Sequence, residues 1–164
     1  MISKLYEYVG SPALRRPDAP AGSVIATLAA CEAWAALQSP EGGIVAATFV
    51  IDQSGRLLLA PRRSEHVACA GGAAVQSAGE MFFADGPLRL QEVTNQSTGY
   101  CAEPESWPAV AAALDRLPLP HPGGFTTALL FRRCVQCGQK NLVKEGWFVC
   151  GCCQADLPLA WNFA

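Results

Sequence analysis

Cys134-Val135-Gln136-Cys137, then twelve residues, then Cys150-Gly151-Cys152-Cys153: this stretch near the end of the chain sets the reading of all that precedes it. A C-x-x-C segment folds into a tight knuckle whose backbone N–H groups point at the sulfurs. Two such knuckles close a tetrahedron of thiolates around Zn²⁺. Gly138 follows the first pair directly, where a knuckle turns with positive φ, and Phe148-Val149 lead into the second pair as a short strand. The second cluster offers three thiols for two positions. Cys150 with Cys153 repeats the two-residue spacing, whereas Cys150 with Cys152 leaves one residue between ligands. The ligand set is therefore read as Cys134, Cys137, Cys150 and Cys153, with Cys152 as a neighbouring thiol or the alternative to Cys153. A catalytic zinc keeps an open position, and four thiolates leave none, so the ion is expected to be structural. Competing readings are a disulfide pair, unrelated buried cysteines, or redox chemistry. A redox C-x-x-C normally opens a helix, and here Gly138-Gln139-Lys140-Asn141 reads as a turn.

With 164 residues, 51% hydrophobic and only 16% charged, the chain has the material for one sizeable core and not for a disordered segment. A net charge of −2 gives no electrostatic footprint for nucleic acid, and zinc-bound thiolates make the balance more negative. Eight cysteines without a signal-peptide pattern favour a reducing cytoplasm where thiols bind metal. The longest nearly apolar run, Val24 to Leu37, is interrupted by Thr27, Cys31 and Glu32 and is too short to span a bilayer, so no membrane role is expected.

Between the termini the pattern is β-rich. Met1 to Gly10 is a short amphipathic stretch, and Ser11 to Gly22, with three prolines and Arg15-Arg16, reads as an extended loop. Ser23 to Gln38 has the composition of a helix, stopped by Ser39-Pro40-Glu41-Gly42-Gly43. Ile44 to Ile51 and Arg56 to Ala60, joined by Asp52-Gln53-Ser54-Gly55, form a hairpin. Three further strands are expected at His66 to Ala70, Gly79 to Ala84 and Leu88 to Thr94. In the last of these Leu88, Leu90 and Glu92 alternate against Arg89, Gln91 and Val93. A second helix runs from Ser106 or Trp107 to Leu117, with Pro108 in its first turn. Thr126 to Arg133 is a final strand that feeds the first knuckle. The fold class is α+β: a small, mostly antiparallel sheet with two helices. The body spans 1–130, and a metal module with a tail packed on the body spans 131–164.

The two knuckles resemble a zinc ribbon of the four-cysteine type, a resemblance that covers roughly residues 131–158. Residues 44–117 carry another. Glu65-His66-Val67-Ala68-Cys69-Ala70-Gly71-Gly72, Ser77-Ala78-Gly79-Glu80, Asp85-Gly86-Pro87-Leu88 and Asn95-Gln96-Ser97-Thr98-Gly99-Tyr100-Cys101-Ala102-Glu103-Pro104 follow one another in order. They are similar to a segment of plant IQ-motif calmodulin-binding proteins and of some bacterial effector or toxin-like proteins. There a His-Ser-Ser, Gly-Gly, Ala-Gly-Glu stretch precedes Ser-Gly-His-Tyr-Arg-Pro. Ser97-Thr98-Gly99-Tyr100-Cys101 lacks that family's His and Arg. The resemblance implies a small β-rich domain followed by a helix, and no activity.

Candidate catalytic residues are His66, Glu80 and Cys101, with Asn95, Ser97, Tyr100 and Glu103 as further polar candidates, because a Cys–His pair with an orienting Asn or Glu suffices for nucleophilic chemistry. The plainer reading makes His66 and Glu80 hydrogen-bonded sheet residues, and Cys69 and Cys101 small core residues. Arg132, Arg133, Lys140 and Lys144 tint the metal module basic, and Trp147 and Phe148 are available to stack on bases, but Glu145 and Asp156 share the segment. Trp147, Phe148, Trp161 and Phe163 are more simply the small core such a module needs. Three functions are weighed. The favoured one is a cytosolic accessory, immunity or regulatory factor that binds another protein, with structural zinc only. The alternatives are a small hydrolase or transferase using His66, Glu80 and Cys101, and a nucleic-acid-binding zinc ribbon.

Overall fold

β-Branched and aromatic residues dominate Ile44–Ile51, and that strand becomes the centre of the protein. The computed structural model describes residues 3–164, so Met1 and Ile2 of the N-terminal amphipathic stretch lie outside the described residues. The elements are β1 (Ser23–Ile25), α1 (Leu28–Ala36), β2 (Ile44–Ile51), β3 (Leu57–Pro61), α2 (His66–Cys69), β4 (Ser77–Ala84), β5 (Arg89–Thr94), α3 (Trp107–Asp115), β6 (Leu130–Arg133) and β7 (Lys140–Val143). Five strands form one antiparallel sheet in the order β1-β3-β2-β4-β5, and β6-β7 is a separate two-stranded antiparallel pair. The α+β class expected from the sequence is the class observed.

The sheet is covered on both faces, which is why β2 reads as a continuous apolar run and not as an alternating one. Ala47, Phe49, Ile51, Leu59, Met81 and Phe83 face α1 and α3, through Cys31 and Trp34 of the first helix and Val110 and Leu114 of the second. Val50, Leu58, Ala60 and Ala78 face the other way, onto Val67 and Cys69 of α2 and onto Tyr6, Val75 and Tyr100.

Four expectations are corrected, each for a local reason. Ser23 to Gln38 is not one helix: Val24 and Ile25 extend along β3, and Thr27 then caps α1, its Oγ1 accepting from the Ala30 N–H at 3.1 Å. His66 to Ala70 is helical, not extended. Gly71 and Gly72, at φ +64° and +83°, donate to the carbonyls of Ala68 and Val67 and close a Schellman cap, so this glycine pair marks a helix end. In β5 the pairing slips between Phe82 and Phe83, leaving Gln91 as the extra residue. The bulge turns Val93 to the same buried side as Leu90, against the simple alternation. Thr126 to Arg133 is divided. Thr126 donates to the Val93 carbonyl and Thr127 bridges Thr94 in parallel, while regular pairing begins only at Leu130. Asn95 joins the two parts: its Oδ1 accepts from the Leu129 N–H at 2.7 Å, and its Nδ2 donates to the carbonyls of Leu129 and Ala102.

The C-terminal tail runs back along β6. The Asn162 side chain pairs with both the N–H and the carbonyl of Arg133, at 2.9 and 2.7 Å, as a neighbouring strand would. Phe163 packs with Phe131 and Cys101, and the Trp161 indole N–H donates to the Cys101 carbonyl at 2.7 Å.

Candidate metal centre

Each knuckle is built by the same two backbone bonds. In the first, the Cys134 N–H donates to Gln139 O and the Gly138 N–H to Cys134 O. In the second, the Cys150 N–H donates to Ala155 O and the Gln154 N–H to Cys150 O. Gly138 (φ +78°) and Gln154 (φ +66°) take the left-handed turn at equivalent places, one residue beyond Cys137 and Cys153. The two-residue spacing thus selects Cys153, because only Cys150-to-Cys153 reproduces the first knuckle. Cys152 is exposed, and its backbone N–H donates to the Cys150 sulfur at 3.3 Å.

The knuckles face one another. The Sγ atoms of Cys134 and Cys153 are 3.6 Å apart, as are those of Cys137 and Cys150, and all four sulfurs lie within 4.8 Å of one another. A tetrahedral ion with Zn–S bonds of about 2.3 Å has sulfur–sulfur edges of about 3.8 Å, so the donor set has the size that ion requires. The Cys137 and Gln136 amides hold the Cys134 thiol below its ordinary value, and the Cys153 amide, the Asn141 side chain and the Cys152 amide bring Cys150 to about 6. Their partners move the other way: against the pull of backbone amides, desolvation and the neighbouring sulfurs raise Cys153 and push Cys137 up to about 12, so without an ion the four sulfurs share protons. A small apolar cluster of Val143, Leu157, Leu130, Phe148 and Ala155 flanks Cys134 and Cys150.

Asn141 is a site residue that the spacing argument missed. Its Nδ2 donates to Gln139 O beside the first knuckle and lies 3.4 Å from the Cys150 sulfur, while its Oδ1 accepts from the Gly151 N–H at 2.9 Å. One side chain therefore ties the knuckles together, and an amide four residues after Cys137 was its only sequence signal. The expected strand at Phe148-Val149 is reduced to isolated bridges, Lys144 with Trp147 and Val149 with Asp156. Of the four aromatics assigned to a small core beside the metal, Phe148 fills that part. Trp161 and Phe163 pack on the body, and Trp147 is 71% exposed.

No family model, curated protein or solved structure matches this chain.

The candidate catalytic residues are engaged separately. The His66 Nε2–H donates to Gly79 O at 2.8 Å, which fixes the tautomer, and burial holds the ring's pKa below its ordinary value against the opposing pull of that carbonyl and of Glu80 and Glu65. Glu80 accepts from Arg62 Nε at 3.1 Å at the surface. Cys101 is buried between Phe131 and Phe163 and donates to Thr98 O; burial pushes its thiol up to about 11, so it carries no thiolate at neutral pH. Asn95, Ser97 and Tyr100 are buried and hydrogen-bonded within the fold.

Of the four basic residues, Arg132 is turned inward, Arg133 and Lys140 are half-buried and Lys144 is exposed. The Arg132 guanidinium is buried and donates to the carbonyls of Phe131, Pro158 and Leu159, clamping the tail. Arg133 donates to Gly138 O, and Lys140 donates to Thr98 O on the body at 2.8 Å.

Proposed function

We propose that this chain is a non-enzymatic, cytosolic accessory, immunity or regulatory factor that binds another protein, in which a C-terminal zinc ribbon (131–164) stabilises a β-rich body (1–130) and takes no part in chemistry. The observation that carries the reading is the closed donor set: four cysteine sulfurs within 4.8 Å of one another fill a tetrahedral ion's coordination sphere and leave no position for water or substrate. The cytosolic assignment rests on thiols kept reduced for metal. No helix among the described residues is long and apolar enough to cross a membrane.

The protein-binding part is supported by what the metal module exposes. Val135, Trp147 and Leu159 are each more than two-thirds exposed, and a partner protein that covered them would bury aromatic and aliphatic surface of the kind that anchors interfaces. Cumulative phosphate contacts drive nucleic-acid binding, and with Arg132, Arg133 and Lys140 engaged by the protein itself, this surface offers little for them.

The test has two arms. Metal analysis of the purified chain is expected to give one zinc per molecule, retained in Cys152→Ser and lost in Cys153→Ser; the reverse would refute the ligand assignment. Photo-crosslinking from position 147 in the native host is expected to capture a defined protein, with the capture lost in Val135→Ser/Leu159→Ser. Capture of nucleic acid alone, or loss of a host activity in His66→Ala with the fold intact, would overturn the binding role.

A further inference from the structure

A concavity of about 260 Å³ lies between the N-terminal loop and α2, remote in sequence from the metal module, and nothing in the proposed function uses it. Arg15 and Arg16 line it together with Ala19, Val67, Gly71 and Gly72. Three features define what it takes. First, the Arg15 guanidinium lies 5.0 Å from the centre of the Tyr8 ring, which steadies it at the edge of the concavity. Among the described residues neither arginine is paired with a carboxylate. Second, the lining is mostly apolar, and Gly71 and Gly72 leave open space where a side chain would stand. Third, the amides of Gly71 and Gly72 are already bonded to Ala68 O and Val67 O, so this glycine pair offers no nest of N–H groups to a phosphate.

We propose that this concavity is a binding site for a small organic carboxylate: an acid group held by Arg15 and Arg16, with a compact apolar body against Val67, Ala19 and the two glycines. A guanidinium's fork of donors matches a planar carboxylate as it does a phosphate, and it is the mostly apolar lining that suits a single negative charge better than a strongly hydrated dianion. The volume sits just under the roughly 300 Å³ lower end of small-ligand pockets, which excludes a dinucleotide and points to a compact acid.

The test is a titration of the full, zinc-loaded chain with phenylacetate, with neutral phenylacetamide and with inorganic phosphate, followed through backbone amide resonances. Phenylacetate is expected to shift the amides of Ala19, Ala68, Gly71 and Gly72 to saturation. Phenylacetamide is expected to bind at least tenfold more weakly, and phosphate to leave those resonances in place. In Arg15→Gln/Arg16→Gln, whose remaining spectrum reports an intact fold, the preference for acid over amide is expected to vanish. Equal affinity for acid and amide, shifts centred elsewhere, or an undiminished acid preference in the double variant would overturn the proposal. None of these outcomes bears on the metal module.

Discussion

At the scale of single residues, two positions decide more than their types suggest. Gln154 occupies the left-handed turn that Gly138 occupies in the first knuckle, and a side chain there is strained by about 1 kcal/mol or more. Gln154→Gly is therefore expected to raise stability by about 1 kcal/mol with metal content unchanged, read by denaturant unfolding; a loss of stability would mean that the second knuckle is not a copy of the first. His66 is the other. Its folded pKa is depressed by burial, so the unfolded chain binds the proton more readily. Its contribution is whole above the unfolded value of about 6.5 and is lost as pH falls below it through the folded value. His66→Gln, which keeps a donor for Gly79 O, is expected to flatten the decline in stability as pH falls below about 6.5. An unchanged slope would show that other groups carry that decline.

Elements show where sequence patterns are legible and where geometry overrides them. Ile44 to Ile51 and its hairpin partner could be read directly, because an unbroken β-branched run bounded by turn residues has one good solution. Apolar period alone misread α2, where Val67 and Cys69 mimic a strand, and the deciding signal was the glycine pair that caps it. The β5 bulge and the division at Asn95 were invisible for another reason: both are set by partners distant in sequence, Phe82 and Leu129. Gly79 records the same long-range crowding. A Cβ there would collide with the Thr94 carbonyl where β5 leaves the sheet. Gly79→Ala is thus expected to cost at least about 3 kcal/mol or abolish soluble expression. A near-neutral melting shift would show that the end of β5 can retreat at little cost.

For the molecule as a whole, the cluster of four cysteines was legible residue by residue, because two facing knuckles need a spacing that local sequence must carry. The joint between module and body was not, since Asn95, Arg132, Asn162 and Trp161 act through backbone carbonyls and amides that leave no pattern. Through that joint, an ion bound by the four cysteines would reach beyond the knuckles. Zinc affinity at a four-cysteine site is folding free energy on the order of 10 kcal/mol, and the tail beside β6 lies against Cys101 and Phe131. A strong chelator is expected to lower the melting temperature of the entire chain; a body transition that stays in place would show that the joint does not transmit the loss. The most direct test of the central claim is X-ray absorption at the zinc edge of the purified protein. A first shell of four sulfurs at about 2.3 Å, and nothing else, is expected. An oxygen or nitrogen neighbour in that shell, or fewer than four sulfurs, would contradict it.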